Sequence, residues 1–131
     1  MFTFDFAKGY LAEKRYNILD EDIHAGHISF RYQLNDIHFF GSGDDDHYFN
    51  LMLPNCHDFP EEDIARIKDL CYKVSREARQ VKMYMLDHVV VTAAEIHYLE
   101  EKDFRFQFHN ALKNLVEAKV MYKNYESTDY Q

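Results

Sequence analysis

The chain is poor in the residues that mark cross-linked, membrane-embedded or linker-divided proteins. It has two cysteines, two prolines, four glycines and no tryptophan among its 131 residues. Two cysteines are too few for a disulfide framework, so a reduced, cytoplasmic protein is predicted. No apolar run approaches the roughly 18 residues that span a bilayer. The amino terminus lacks the basic-then-apolar pattern of a signal peptide, and we therefore expect no membrane association.

Basic residues are also scarce relative to acidic ones. The sequence has 15 lysines and arginines against 23 aspartates and glutamates, which gives a formal net charge of −8. This acidity argues against a nucleic-acid partner, because phosphate contacts need lysines and arginines clustered on one face. Apolar residues make up 47% of the chain, enough for a hydrophobic core. No linker composition divides it, so residues 1–131 are predicted to form a single domain with a frayed tail over 126–131.

The apolar pattern of the first half changes from helical to strand spacing. Residues 4–16 predict an amino-terminal helix, although alternating Phe2, Phe4 and Phe6 would also suit a short strand. Residues 28–34, 37–40 and 48–53 then alternate as three strands with one buried face. Asn35-Asp36 is predicted as the turn of the first hairpin, because both residue types tolerate positive φ.

The second half predicts a helix, a hairpin and a long final helix. The middle helix begins at Asp58 or Phe59 and presents one apolar stripe over residues 64–78. Residues 81–86 and 89–98 form a hairpin around Asp87-His88, and residues 101–125 form the last helix. The order α-β-β-β-α-β-β-α predicts an α+β domain in which helices pack on an antiparallel-rich, five-stranded sheet.

The register of the first hairpin predicts an unusual second face of this sheet. With the turn at Asn35-Asp36, Leu34 pairs with Ile37 on the core side and Tyr32 pairs with Phe39. The opposite face then has more apolar side chains than a solvated sheet face normally carries. Either the middle helix covers this face, or a second subunit or client polypeptide does. The candidate partner-binding residues are Phe40, Tyr48, Met52, Tyr84 and Val91.

Eight histidines raise the alternative of a metal- or small-ligand-dependent enzyme. Zinc sites need paired ligands at fixed spacing, whereas His24 and His27 have no second pair, and Cys56-His57 stands alone. The aspartate run lacks the spaced oxygens and the distal glutamate of an EF-hand. We therefore interpret these as ordinary loop residues and expect no metal or other cofactor. The alternative site would consist of His24, His27 and the loop residues Asp44, Asp45, Asp46 and His47.

Motifs for nucleophilic catalysis are missing as well. No Gly-x-Ser-x-Gly is present, and Cys71 lies on the apolar stripe of the middle helix, which is typical of a buried structural thiol. Gly41-Ser42-Gly43 precedes three aspartates, which would repel phosphate, and no lysine follows it. The chain is therefore predicted not to be an enzyme.

The element order and three local stretches resemble the YbjN-like, type III secretion chaperone-like fold. The stretches are HISFR at 27–31, YFNLMLP at 48–54 and ALKNLVEA at 111–118, and the resemblance covers residues 10–122. It implies a small, acidic, non-enzymatic protein, often a homodimer, that binds other polypeptides or acts as a regulator. It implies no catalytic residues. Either the middle helix or the outer sheet face would supply the contacts.

Overall fold

The computed structural model describes residues 2–41, 47–55 and 59–129. Its helices are α1 (Phe2–Lys14), α2 (Ile64–Glu77) and α3 (Glu101–Asp129), and a 3-10 turn over Glu61–Asp63 leads into α2. Its strands are β1 (Asn17–Asp22), β2 (His27–Tyr32), β3 (Asn35–Gly41), β4 (Tyr48–Asn55), β5 (Lys82–Leu86) and β6 (Val89–His97).

The strands form one antiparallel sheet in the order β1-β2-β3-β4-β6-β5. The predicted α+β class is confirmed, but the predicted count of five strands is wrong, because β1 adds a sixth. All six β1 side chains are exposed, so no alternation of apolar and polar residues marks this strand. Its backbone pairs with β2 across a bulge between Ile18 and Asp20.

The first hairpin turns two residues earlier than predicted. Gln33 and Leu34 occupy the turn with φ of 49° and 65°, as a type I′ turn requires, and Tyr32 pairs with Asn35. Both predicted cross-strand pairings are therefore wrong. An even shift leaves the inward and outward faces unchanged, so Tyr32 remains buried. Leu34, predicted on the core side, instead lies at the turn and is 92% exposed.

Aromatic side chains fill the centre of the core. The Phe108 ring lies 4.8–6.2 Å, centroid to centroid, from five other rings, and all six residues are buried. Those five rings belong to α1, β2, β3, β4 and α3 itself: Tyr10, Phe30, Phe39, Phe49 and Phe104. Phe108 therefore joins two helices to the middle of the sheet.

The middle helix packs on the same side of the sheet as the other two helices. Its buried residues Ile67, Leu70, Cys71 and Val74 belong to the core cluster that α1, α3 and the inner sheet face share. The hypothesis that this helix covers the opposite face is therefore wrong. We call that opposite side, which faces away from the core cluster, the outer face.

A serine of α2 satisfies the backbone of the edge strand β5. The Ser75 hydroxyl accepts a hydrogen bond from the Met83 amide at 2.7 Å and donates one to the Met83 carbonyl oxygen at 2.9 Å. The Ser75 side chain thus makes the two hydrogen bonds that a neighbouring strand would make to an interior strand. This edge of the sheet is sealed at the middle of β5.

The last helix continues to Asp129, past residue 126, where fraying was predicted to begin. The Tyr122 hydroxyl donates to Glu126 at 3.2 Å, and the Tyr125 hydroxyl donates to Glu77 of α2. These bonds connect the end of α3 to its own last turns and to α2. Among the described residues, no helix combines the length and the hydrophobicity needed to cross a membrane.

Candidate binding surface on the outer face

Four of the five predicted partner-binding residues lie on the outer face with accessible side chains. Phe40 is 37% exposed and Tyr84 is 39% exposed, while Tyr48 and Met52 are half-buried. Strand alternation places them there, because Phe39, Phe49, Leu51 and Met83 point into the core. The result is a surface with several large apolar side chains and no covering helix.

Val91 does not belong to the accessible part of this surface. It is 3% exposed, although strand alternation directs it toward the outer face. Val91 lies on β6, between two other strands, with Pro54 opposite it on β4 and Tyr84 opposite it on β5. Val91 is therefore flanked on both sides and, at 3% exposure, is not available for contact with a partner.

The outer face has a depression centred on Ala93. Its volume is about 330 Å³, and Asn50, Lys82, Tyr84 and Glu95 are among its lining residues. The depression forms because the small side chain of Ala93 lies between Met52 and Lys82 on the adjacent strands. Oδ1 of Asn50 is buried and makes no hydrogen bond within the described residues.

A pair of histidines lies beside Phe40 on the same face. Nε2 of His27 and Nδ1 of His38 are 2.9 Å apart, and the two rings stack with centroids 5.2 Å apart. The His27 ring also stacks on Phe40, at 4.8 Å. Burial lowers the pKa of His38, and the adjacent His27 lowers it further, against a smaller opposing effect of Asp36. Near neutral pH this part of the face is therefore a row of flat rings around an uncharged His38.

The lowered pKa of His38 predicts a loss of stability in mildly acidic solution. As pH falls below the ordinary histidine pKa of 6.5, the unfolded chain binds protons that folded His38 does not bind. The free energy of unfolding should therefore fall from pH 7 toward pH 5 and level off once folded His38 is protonated. His38→Gln should reduce this slope, and urea denaturation at several pH values measures it. Identical slopes in the two proteins would contradict the prediction.

The candidate metal ligands are not gathered into one site within the described residues. The His24 amide donates to Oδ1 of Asp22 at 3.0 Å, and Nδ1 of His47 lies 3.2 Å from the Tyr98 carbonyl oxygen. His27 pairs with His38 instead of His24. In the ranges 2–41, 47–55 and 59–129 no group of three or more His, Cys, Asp or Glu residues is placed to hold an ion. The other candidates lie outside the described residues: Asp44, Asp45, Asp46, Cys56 and His57.

Cys71 is the buried thiol that its place on the apolar stripe predicts. It is 3% exposed, and burial raises its pKa to about 11. A thiol with such a pKa is protonated at neutral pH, which makes it a poor nucleophile. The phosphate-loop pattern has only Gly41, the last residue of β3, within the described part of the chain, and Ser42 and Gly43 lie outside it.

Comparison with known proteins supports the fold of this chain. No family model and no curated protein matches the sequence. The structure is similar to that of YbjN from E. coli, described as a candidate transcription regulator, with a TM-score of 0.66 and 8% identity over 95% of this chain and 92% of the other. It is also similar to an uncharacterized protein from Methanothermobacter thermautotrophicus, with a TM-score of 0.65 and 14% identity over 98% and 99% of the two chains. The chain has the YbjN-like fold, as its sequence predicts.

Proposed function

We propose that this protein is a non-enzymatic module that binds polypeptides and forms a homodimer through the outer face of its sheet. The observation that carries the proposal is the uncovered apolar surface around Phe40, Tyr48, Met52 and Tyr84. Contiguous apolar surface on a small domain marks an interaction site. Tyrosine and methionine suit such a site, because they combine large contact area with polar or adaptable ends. Neither structural neighbour is described as an enzyme.

The charges of this surface support a second copy as the partner. On β2 and β3, Arg31 and Asp36 form an ion pair at 3.0 Å, and Lys82 of β5 and Glu95 of β6 both line the depression around Ala93. This part of the face therefore has equal numbers of both signs, although the whole chain carries −8. Two copies that meet face to face through a twofold axis bring these residues together without net repulsion.

Introducing a charge at Phe40 should abolish the dimer. Phe40→Asp places a carboxylate within the proposed contact, where it would be desolvated without a partner. At tens of micromolar, we expect the unaltered protein to elute as a dimer in size-exclusion chromatography with light scattering and Phe40→Asp as a monomer.

Phe106→Asp is the matched control for that experiment. Phe106 lies on α3, is 66% exposed and is not on the outer face, so its replacement should leave the dimer intact. An unaltered protein that is strictly monomeric would refute the proposed homodimer. A dimer that both aspartate variants disrupt equally would place the interface elsewhere.

A further inference from the structure

The charge of the chain is distributed unevenly between one segment and the rest. Residues 64–86, which comprise α2, the connection and β5, contain six lysines or arginines and two acidic residues, a net charge of +4. The other 108 residues contain nine basic and 21 acidic residues, a net charge of −12. A strongly acidic protein thus has a basic segment that coincides with a structural unit in which α2 packs beside β5.

An apolar groove runs through this basic unit. It lies between α2 and β5, has a volume of about 280 Å³, and we call it the α2–β5 groove. Its rim has two exposed tyrosines, Tyr72 at 64% and Tyr84 at 39% exposure. Its lining residues include Lys68, Cys71, Tyr72, Met83, Tyr84 and Met85. Tyr84 also lines the depression around Ala93, so the groove adjoins the outer face.

Four of the six basic residues of this unit lie outside the described ion pairs, while Arg66 pairs with Asp63 and Lys73 pairs with Asp69. Asp69 lies 3.7 Å from the ammonium of Lys73, and Glu77 accepts the hydrogen bond of Tyr125 from α3. Lys68, Arg79 and Lys82 are exposed and have no ion-pair partner within the described residues. The guanidinium of Arg76 lies 5.8 Å from the centre of the Tyr72 ring. Arg76 is exposed, so its charge lies at the surface beside the groove.

We propose that the α2–β5 groove binds an acidic polypeptide segment. Its apolar side chains would lie against Met85 and the two tyrosines, and its carboxylates would face Lys68 and Arg76. The inference takes from the proposed function that the protein binds polypeptides, but it concerns an adjoining surface, which shares Tyr84 with the outer face, and it states the charge of the client. Charge complementarity selects this client, because the segment that forms the groove carries a net charge of +4.

Two other modes of binding fit the groove less well. Addition of a strand to β5 is opposed by Ser75, which already bonds both backbone groups of Met83. A nucleic acid would bring many phosphates toward a protein whose residues outside this unit carry a net charge of −12. The apolar floor of Cys71, Met83 and Met85 could form neither ion pairs nor strong hydrogen bonds with those phosphates. A short acidic peptide has fewer charges and supplies the apolar side chains that this floor can bury.

Fluorescence anisotropy with a labelled peptide of glutamate and leucine tests the inference. We expect saturable binding at low salt that weakens several-fold when the sodium chloride concentration is raised to about 0.3 M, because the contacting charges are exposed. The double variant Lys68→Glu/Arg76→Glu should weaken binding by about tenfold. Lys102→Glu, on an exposed lysine at the start of α3, should leave binding within twofold of the unaltered protein.

The apolar part of the groove is tested separately with Tyr72→Ser, which removes an exposed ring without removing charge. We expect a several-fold weaker complex and an unchanged circular dichroism spectrum. Three results would overturn the inference: no saturable binding, equal effects of Lys102→Glu and the double variant, or tighter binding of a labelled oligo-dT than of the peptide. Because the Phe40→Asp experiment measures self-association, a failed peptide titration with an intact dimer would refute the groove and leave the proposed function standing.

Discussion

Phe108→Ala should lower the free energy of unfolding by about 3–5 kcal/mol, the cost typical of removing a fully buried phenylalanine. Phe108 is completely buried and packs against rings from α1, three strands and its own helix. Its removal leaves a cavity that five rigid rings cannot close, and it also removes the aromatic pair energies. Urea denaturation should show a large fall in the transition midpoint with an unchanged slope.

The neighbouring phenylalanine provides the control for this change. Phe106 is in the same helix, two residues earlier, and is 66% exposed. Phe106→Ala should therefore change the free energy of unfolding by no more than about 0.5 kcal/mol. A comparable fall in the free energy of unfolding in the two variants would mean that the aromatic cluster around Phe108 does not hold the helices on the sheet.

Gly26→Ala should destabilise the protein by about 2–4 kcal/mol. Gly26 has φ of +67°, and a Cβ atom there would lie 2.6 Å from the carbonyl oxygen of Gly41. The strained conformation costs about 1–2 kcal/mol for a residue with a side chain, and the overlap with backbone adds a comparable amount. The overlap cannot be relieved cheaply, because the Gly41 amide donates to the Gly26 carbonyl oxygen at 2.8 Å.

The same substitution at Gly9 should have the opposite sign. Gly9 lies within α1, and a Cβ atom there would meet nothing within 4 Å. Alanine has the higher helix propensity, so Gly9→Ala should stabilise the protein by up to about 1 kcal/mol. Thermal unfolding of both variants measures the difference. A Gly26→Ala variant as stable as the unaltered protein would show that the contact between residues 26 and 41 relaxes easily.

The sequence predicts the faces of the sheet better than the pairing of its strands. Alternation assigns Phe39 and Phe49 to the core, and both are fully buried. The period of two is insensitive to an even shift in register, so the misplaced turn at Asn35-Asp36 left these assignments correct. The true turn at Gln33-Leu34 has positive φ at two residue types that seldom adopt it, and no local pattern predicts that choice.

The features that sequence reasoning missed depend on contacts rather than on patterning. Strand β1 is held by backbone pairing with β2 and buries none of its side chains, so it leaves no hydrophobic signal. Val91 was correctly predicted to point outward, but only the register with Pro54 and Tyr84 explains why it is covered. The basic residues of the α2–β5 groove are visible in the sequence, yet their convergence requires α2 to lie along β5.

The hydrogen bonds of Ser75 to Met83 have a consequence for aggregation. A sheet can recruit further strands only through backbone groups that are still unpaired at its edges. One edge of this sheet is sealed at its centre, and the other edge, β1, has Asp20, Glu21 and Asp22 side by side. Two chains joined through β1 would present outward only their β5 edges, each blocked at Met83, which would oppose the addition of further chains.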